Sequence, residues 1–175
     1  YRTWVWINDR NSFMKRIIYF NSFMISAIIK SINLPKPDVY IASSPSLFSG
    51  FAGVIISKIY KRPLILDIRD LWPESAIELG ELKSSISKYI GYALQNFIYS
   101  KSNAFLVAVP GFSKHLSNNS YSKNKIIITL LNGVDDGFIK MGETISKSCS
   151  DTINLIYAGN IGLAQDFVTI VKAAK

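Results

Sequence analysis

Between residues 11 and 32 apolar side chains are too dense to alternate and the run is too long for one strand, while Ser12, Lys15, Ser22, Ser26 and Lys30 form a thin polar stripe at helical spacing. The pattern predicts a helix with a very wide apolar face, ended by Pro35 and Pro37. A short apolar run of the buried-strand kind follows at 38–43. A helix is then expected over 46–60, with Ser46 as a candidate cap, and a second strand, Leu64–Ile68, opens after Pro63. Beyond a charged loop, helical spacing returns over 84–100. Strand patterns at 104–109 and 125–130 flank a short helix that holds His115.

Apolar strands alternate with helices, and no hairpin turn separates any two strands. This order predicts an α/β fold, a Rossmann-like parallel sheet with helices on both faces. Such sheets bind ligands at the carboxyl ends of their strands. Residues 1–135 are read as this first domain, and the Gly- and Ser-rich stretch 136–152 as a connector. A further strand at 153–158 turns through Gly159 and Gly162 into a helix from about Asp166, which marks the start of a second Rossmann-like domain over 153–175. A start at Tyr1 and an end inside a predicted helix are what a piece of a longer protein would show.

Composition narrows the chemistry. With 49% apolar and 18% charged residues the 175-residue chain reads as globular. Lone Cys149 and lone His115 give no internal disulfide and no Cys/His metal cluster, so a reducing, cytoplasmic setting is expected. The net charge of +8 is concentrated in residues 1–64, where nine Lys or Arg face only Asp9 and Asp38. That third is also crowded with Ile, Phe and Met and has no basic run suited to tracking phosphates, so an anionic membrane surface is expected as partner rather than nucleic acid. Its apolar stretch is shorter than the roughly 20 residues a spanning helix needs, which makes the expected attachment peripheral, on the inner face of the plasma membrane.

Two segments could carry chemistry. In the loop 67–74, Asp67 and Asp70 could bind a sugar hydroxyl or accept its proton, and Arg69 could hold a phosphate or orient a carboxylate; Trp72 and Glu74 follow within the same eight residues. The alternative is an Asp helix cap with Arg69 as its ion-pair partner. In the second segment, Gly159, Asn160 and Gly162 form a strand-to-helix turn whose amides can approach a phosphate, or whose glycines serve only the turn. Asn132 opens an Asn-Gly turn at the end of a strand. His115 is expected at the surface, and no role is assigned to Cys149.

Taken in order, Asp67-Ile68-Arg69-Asp70-Leu71-Trp72-Pro73-Glu74-Ser75, Val109-Pro110-Gly111-Phe112, Leu131-Asn132-Gly133-Val134-Asp135 and Tyr157-Ala158-Gly159-Asn160-Ile161-Gly162-Leu163-Ala164-Gln165 resemble the retaining glycosyltransferases of family four. These have two facing Rossmann-like domains, the GT-B arrangement. The resemblance is to bacterial members that add fucosamine-type sugars to lipid-linked precursors of O-antigen, capsule or colanic acid. It implies a nucleotide-sugar donor, a lipid-linked or oligosaccharide acceptor near the Asp-Arg-Asp loop, the donor diphosphate beside Gly159, Asn160 and Gly162, contacts to substrate from Trp72, Glu74 and Asn132, and no bound metal. The family's pair of Glu residues, separated by seven others, is expected beyond Lys175, so this stretch alone is expected to be inactive. A sugar-nucleotide epimerase of the same shape and a non-enzymatic, receiver-like binding domain are the alternative readings.

Overall fold

Strands β1 (Tyr40–Ser44), β2 (Leu64–Ile68), β3 (Ala104–Val107) and β4 (Ile126–Thr129) pair side by side, all parallel, in the order in which the chain makes them. The computed structural model describes residues 1–7, 9, 12–144 and 155–174. Helix α1 (Phe13–Ser31) precedes the sheet, and α2 (Leu47–Tyr60), α3 (Glu74–Glu78), α4 (Ser85–Lys101) and α5 (Pro110–Asn118) connect its strands. The α/β, Rossmann-like reading is thus correct. Each helix begins or ends for a local reason. Ser12 and Ser84 accept from the amides of Lys15 and Ser87, as good N-caps do. Ser46 also sits at an N-cap, but its hydroxyl makes no cap bond and lies 3.4 Å from that of Ser49.

A parallel sheet laid down in sequential order places right-handed crossovers on one side. In this chain α2, α4 and α5 indeed share one face. Leu64, Leu66, Ile68, Phe105 and Val107 point into it and pack with Leu47 and Val54 of α2, Ile98 and Tyr99 of α4, and Leu116 of α5. Helix α2 lies very close to β1, since a Cβ added at Gly53 would stand 2.5 Å from the Cβ of Ala42. The opposite face carries Ile41, Ile65, Leu106, Ile126 and Ile128, of which Ile41 and Ile126 are more than 60% exposed. The second layer of helices expected there is not supplied by α2, α4 or α5.

Helix α1 packs on α2 rather than on the sheet. Its polar stripe has a definite use. Ser22 accepts from the Trp6 amide at 2.9 Å, while Ser26 accepts from the Thr3 hydroxyl and donates to the Trp4 carbonyl, so residues 3–6 are held along the helix. Among the described residues no helix is long and apolar enough to cross a membrane.

The chain divides into two compact units, Tyr1–Leu131 and Asn132–Lys175. In the second, the stretch read as connector contains a helix, α6 (Asp136–Thr144), begun where the Asp135 carboxylate accepts from the Gly137 amide at 2.7 Å. Glycine and serine content had suggested irregular chain there, but Phe138, Ile139 and Met141 supply a helical apolar spacing. Residues 145–152 of that stretch, Cys149 among them, lie outside the described residues. So do Ile153 and Asn154 of the expected strand. Its remainder, 155–158, is not a strand, and among the described residues it has no neighbour to complete a ladder. Helix α7 (Phe167–Ala173) begins close to the expected Asp166.

Candidate functional site

Strand β2 is central in the sheet, and its carboxyl end delivers the acidic loop. Asp67 is the last residue but one of the strand and is buried. Its Oδ2 accepts from the Ser43 hydroxyl of β1 at 2.7 Å and from the Arg69 Nε at 2.8 Å. Register explains the first bond, because Ser43 and Asp67 are direct partners across the β1–β2 ladder. Both donors converge on one carboxylate oxygen, so Asp67 is committed to holding strand and loop together, and Arg69 is its ion-pair partner.

Asp70 behaves differently. It is exposed, and its Oδ1 accepts a 2.6 Å bond from the Ser75 hydroxyl. That hydroxyl is also 2.6 Å from the Leu71 carbonyl, and its single proton cannot serve both acceptors at once. Asp70 does not cap α3, whose N-cap position is Pro73 without a side-chain bond. Asp70 is thus an exposed carboxylate with a single described side-chain bond, at the strand end where such sheets take their ligands.

Trp72 lines an apolar cleft of about 350 Å³, walled by Phe13, Ile17 and Phe20 of α1 and by Ile90, Gly91 and Leu94 of α4. Gly91 is required there, since a Cβ would come within 2.8 Å of Pro73. Arg16 and Glu81 also line it, joined by a 2.6 Å ion pair between Nη1 and Oε1, while Arg16 Nε is buried with no hydrogen-bond partner.

Glu74 points inward rather than toward the loop's open side. Gln95 Nε2 donates to both its oxygens, at 3.1 and 3.4 Å, and His115 Nε2 lies 3.5 Å from Oε1. That separation allows attraction to a protonated ring but lacks hydrogen-bond geometry, and Nε2 has no partner that meets it. His115, expected at the surface, is half-buried: it lies three residues after Phe112 and one before Leu116 on the core-facing side of α5. The same network touches Tyr99, whose phenol is pushed above its ordinary range first by burial and then by the Glu74 charge. Sequence reading missed this cluster. The helical spacing of Phe112, His115 and Leu116 was the available signal for His115; Gln95 gave none.

The glycine turn belongs to the second unit. Tyr157 folds over it, donating from its hydroxyl to the Asn160 carbonyl at 3.1 Å and meeting the Phe167 ring edge-on. A Cβ at Gly159 would stand 2.7 Å from the Tyr157 oxygen, so the absent side chain has a local cause. Gly162 precedes a single 3₁₀ turn, Leu163–Gln165. Asn132 opens this unit in irregular backbone.

Among the described residues no three His, Cys, Asp or Glu side chains gather closely enough to hold a metal ion. No protein-family model matches the chain, and a search of curated proteins returns no match.

Proposed function

We propose that the chain carries the acceptor-side domain of a glycosyltransferase that moves a sugar from a nucleotide-diphosphate donor to a lipid-linked glycan acceptor, and that residues 153–175 begin the donor side. The observation that carries this reading is the acidic loop at the carboxyl end of β2, where one carboxylate is buried and tied down and its neighbour three residues on is exposed. Asp70 accepts a hydrogen bond from the attacking hydroxyl, orients it and takes up its proton as the glycosidic bond forms. Asp67 and Arg69 hold the loop that presents it. Trp72 joins that loop to an apolar cleft suited to the non-polar part of an acceptor. Amides of the Gly159–Gly162 turn serve the donor diphosphate, and no metal is required for its departure.

The attachment belonging to this reading is peripheral. Met14, Ile18, Ile25 and Ile29 form an exposed stripe on α1, with Trp4 and Trp6 beside it, on the most basic third of the chain. Interfacial helices bind through such buried apolar area together with attraction to anionic lipid.

Substituting Asp70→Asn keeps the shape and the Ser75 contact while removing charge and basicity. In the complete enzyme, single-turnover transfer is expected to fall by on the order of 10²-fold, the scale for loss of a positioned base. Melting temperature should change little, because the carboxylate is exposed. A destabilised protein with normal transfer would refute the assignment.

A further inference from the structure

Four cationic side chains converge at the end of the sheet opposite the acidic loop. Lys58 comes from the last turn of α2, Lys61 from its cap, Arg62 from the link into β2, and Lys101 from the last turn of α4. With Ser57 and Asn103 they line a cleft of about 350 Å³ that contains no carboxylate. This volume is at the lower end of the range for ligand-holding clefts, about 300 to 1,000 Å³.

The plain explanation is that cations suit the negative ends of helices. It accounts for Lys58 and Lys101. It does not account for Lys61, whose φ of 52° is a left-handed conformation that glycine adopts with less strain. Nor does it account for Arg62, whose nearest carboxylate, Asp38, is 3.9 Å away and fully exposed, a pairing of little strength. Lys101 Nζ lies 5.9 Å from the centre of the Phe97 ring. Asn103 adds a neutral donor. Its Oδ1 accepts from the Leu64 amide at 2.9 Å, which fixes that atom as oxygen and leaves the amide nitrogen for a ligand. Like charges held within a Debye length of about 8 Å repel one another, and an anion seated among them relieves that repulsion.

We propose that this cleft binds a phosphate group, either of a soluble phosphorylated ligand or of a lipid headgroup. The site is independent of the acidic loop, from which it is separated by the length of β2, about 16 Å of strand.

The test titrates the intact protein with inorganic phosphate, followed by ³¹P NMR, and sediments it with phosphatidylcholine vesicles with and without phosphatidic acid. The triple variant Lys58→Ala, Lys61→Ala, Lys101→Ala should bind phosphate at least about tenfold more weakly, as expected for the loss of charge-assisted bonds. A control triple at Lys83, Lys114 and Lys123, which face solvent outside the cleft, should bind like the parent. If the source is a headgroup, phosphatidic acid draws down the parent more strongly than the cleft variant, whose remaining binding belongs to α1, and free phosphate removes the difference; if it is soluble, phosphate binds and sedimentation of parent and cleft variant is equal. Lys61→Gly guards against misfolding, because it relieves the left-handed strain: it should raise the melting temperature and still weaken phosphate binding. Equal weakening in the control triple, or no difference between parent and cleft variant with either probe, would overturn the proposal.

Discussion

Tyr99 shows how a single side chain records its surroundings. Burial, then the charge of Glu74, pushes its phenol upward, and only the weak 3.4 Å bond from Gln95 acts the other way. The folded state therefore keeps the proton at a pH where the unfolded chain releases it. Stability from this group is complete below about pH 10 and is lost as pH rises, at roughly 1.4 kcal/mol per pH unit until the raised folded value is reached. Urea midpoints measured between pH 8 and 11 should fall more steeply for the parent than for Tyr99→Phe; parallel slopes would show that the phenol is not protected. At the same scale, the two carboxylates of the loop were only half legible in the sequence. Asp67 lies within the apolar run of β2, which marks it as inward and structural. Its partner Ser43 is 24 residues away and becomes visible only once the ladder register is known. Glu74 looked like a ligand contact because it follows the loop, but the Gln95 amide and the His115 ring draw it inside.

Helices and strands were the most legible level, because apolar spacing is repeated along each of them and errors in one residue are averaged out. Boundaries held within a few residues for α1, α2, α4 and β2. Over its described part, 155–158, the strand expected at 153–158 is irregular, and local sequence cannot carry the reason: a strand needs a neighbour to satisfy its amides. The packing of α2 on β1 is likewise invisible in sequence, yet it assigns Gly53 a definite role. Adding a methyl group there would overlap the Ala42 Cβ at 2.5 Å, an atom that has no rotamer to move aside and shifts only with its strand. Gly53→Ala is expected to destabilise by about 1 to 3 kcal/mol, the cost of overpacking a tight interior. Gly111, on α5, has open space around its missing Cβ, so Gly111→Ala should be neutral or gain up to about 1 kcal/mol from helix propensity. Denaturant unfolding of both variants checks this, and equal effects would mean that helix propensity rather than close approach governs Gly53.

Across the whole sheet, the strand composition and the observed cover do not match. Strands solvated on one face alternate apolar and polar residues, whereas Leu64–Ile68 and Ile126–Thr129 are apolar almost throughout, as in sheets covered on both sides. Sequential strand order sends α2, α4 and α5 to a single face, and Ile41, Ile126 and Ile128 stay exposed on the other. Apolar patches of more than a few hundred Å² are rare on soluble monomers, because water is a poor neighbour for them. The chain as it stands should therefore bind a hydrophobic dye such as ANS and self-associate at micromolar concentration. Threonine keeps β-branching and strand preference while adding a hydroxyl, so Ile41→Thr, Ile126→Thr and Ile128→Thr together should reduce dye fluorescence and association. Because these side chains face solvent, the unfolding free energy should change by no more than the roughly ±0.5 kcal/mol typical of surface changes at each site. Sedimentation velocity and dye titration on the same samples decide the matter. A triple variant that unfolds like a core mutant, by about 3 kcal/mol or more, while its dye signal stays at the parent level would show that this face is already covered within the chain.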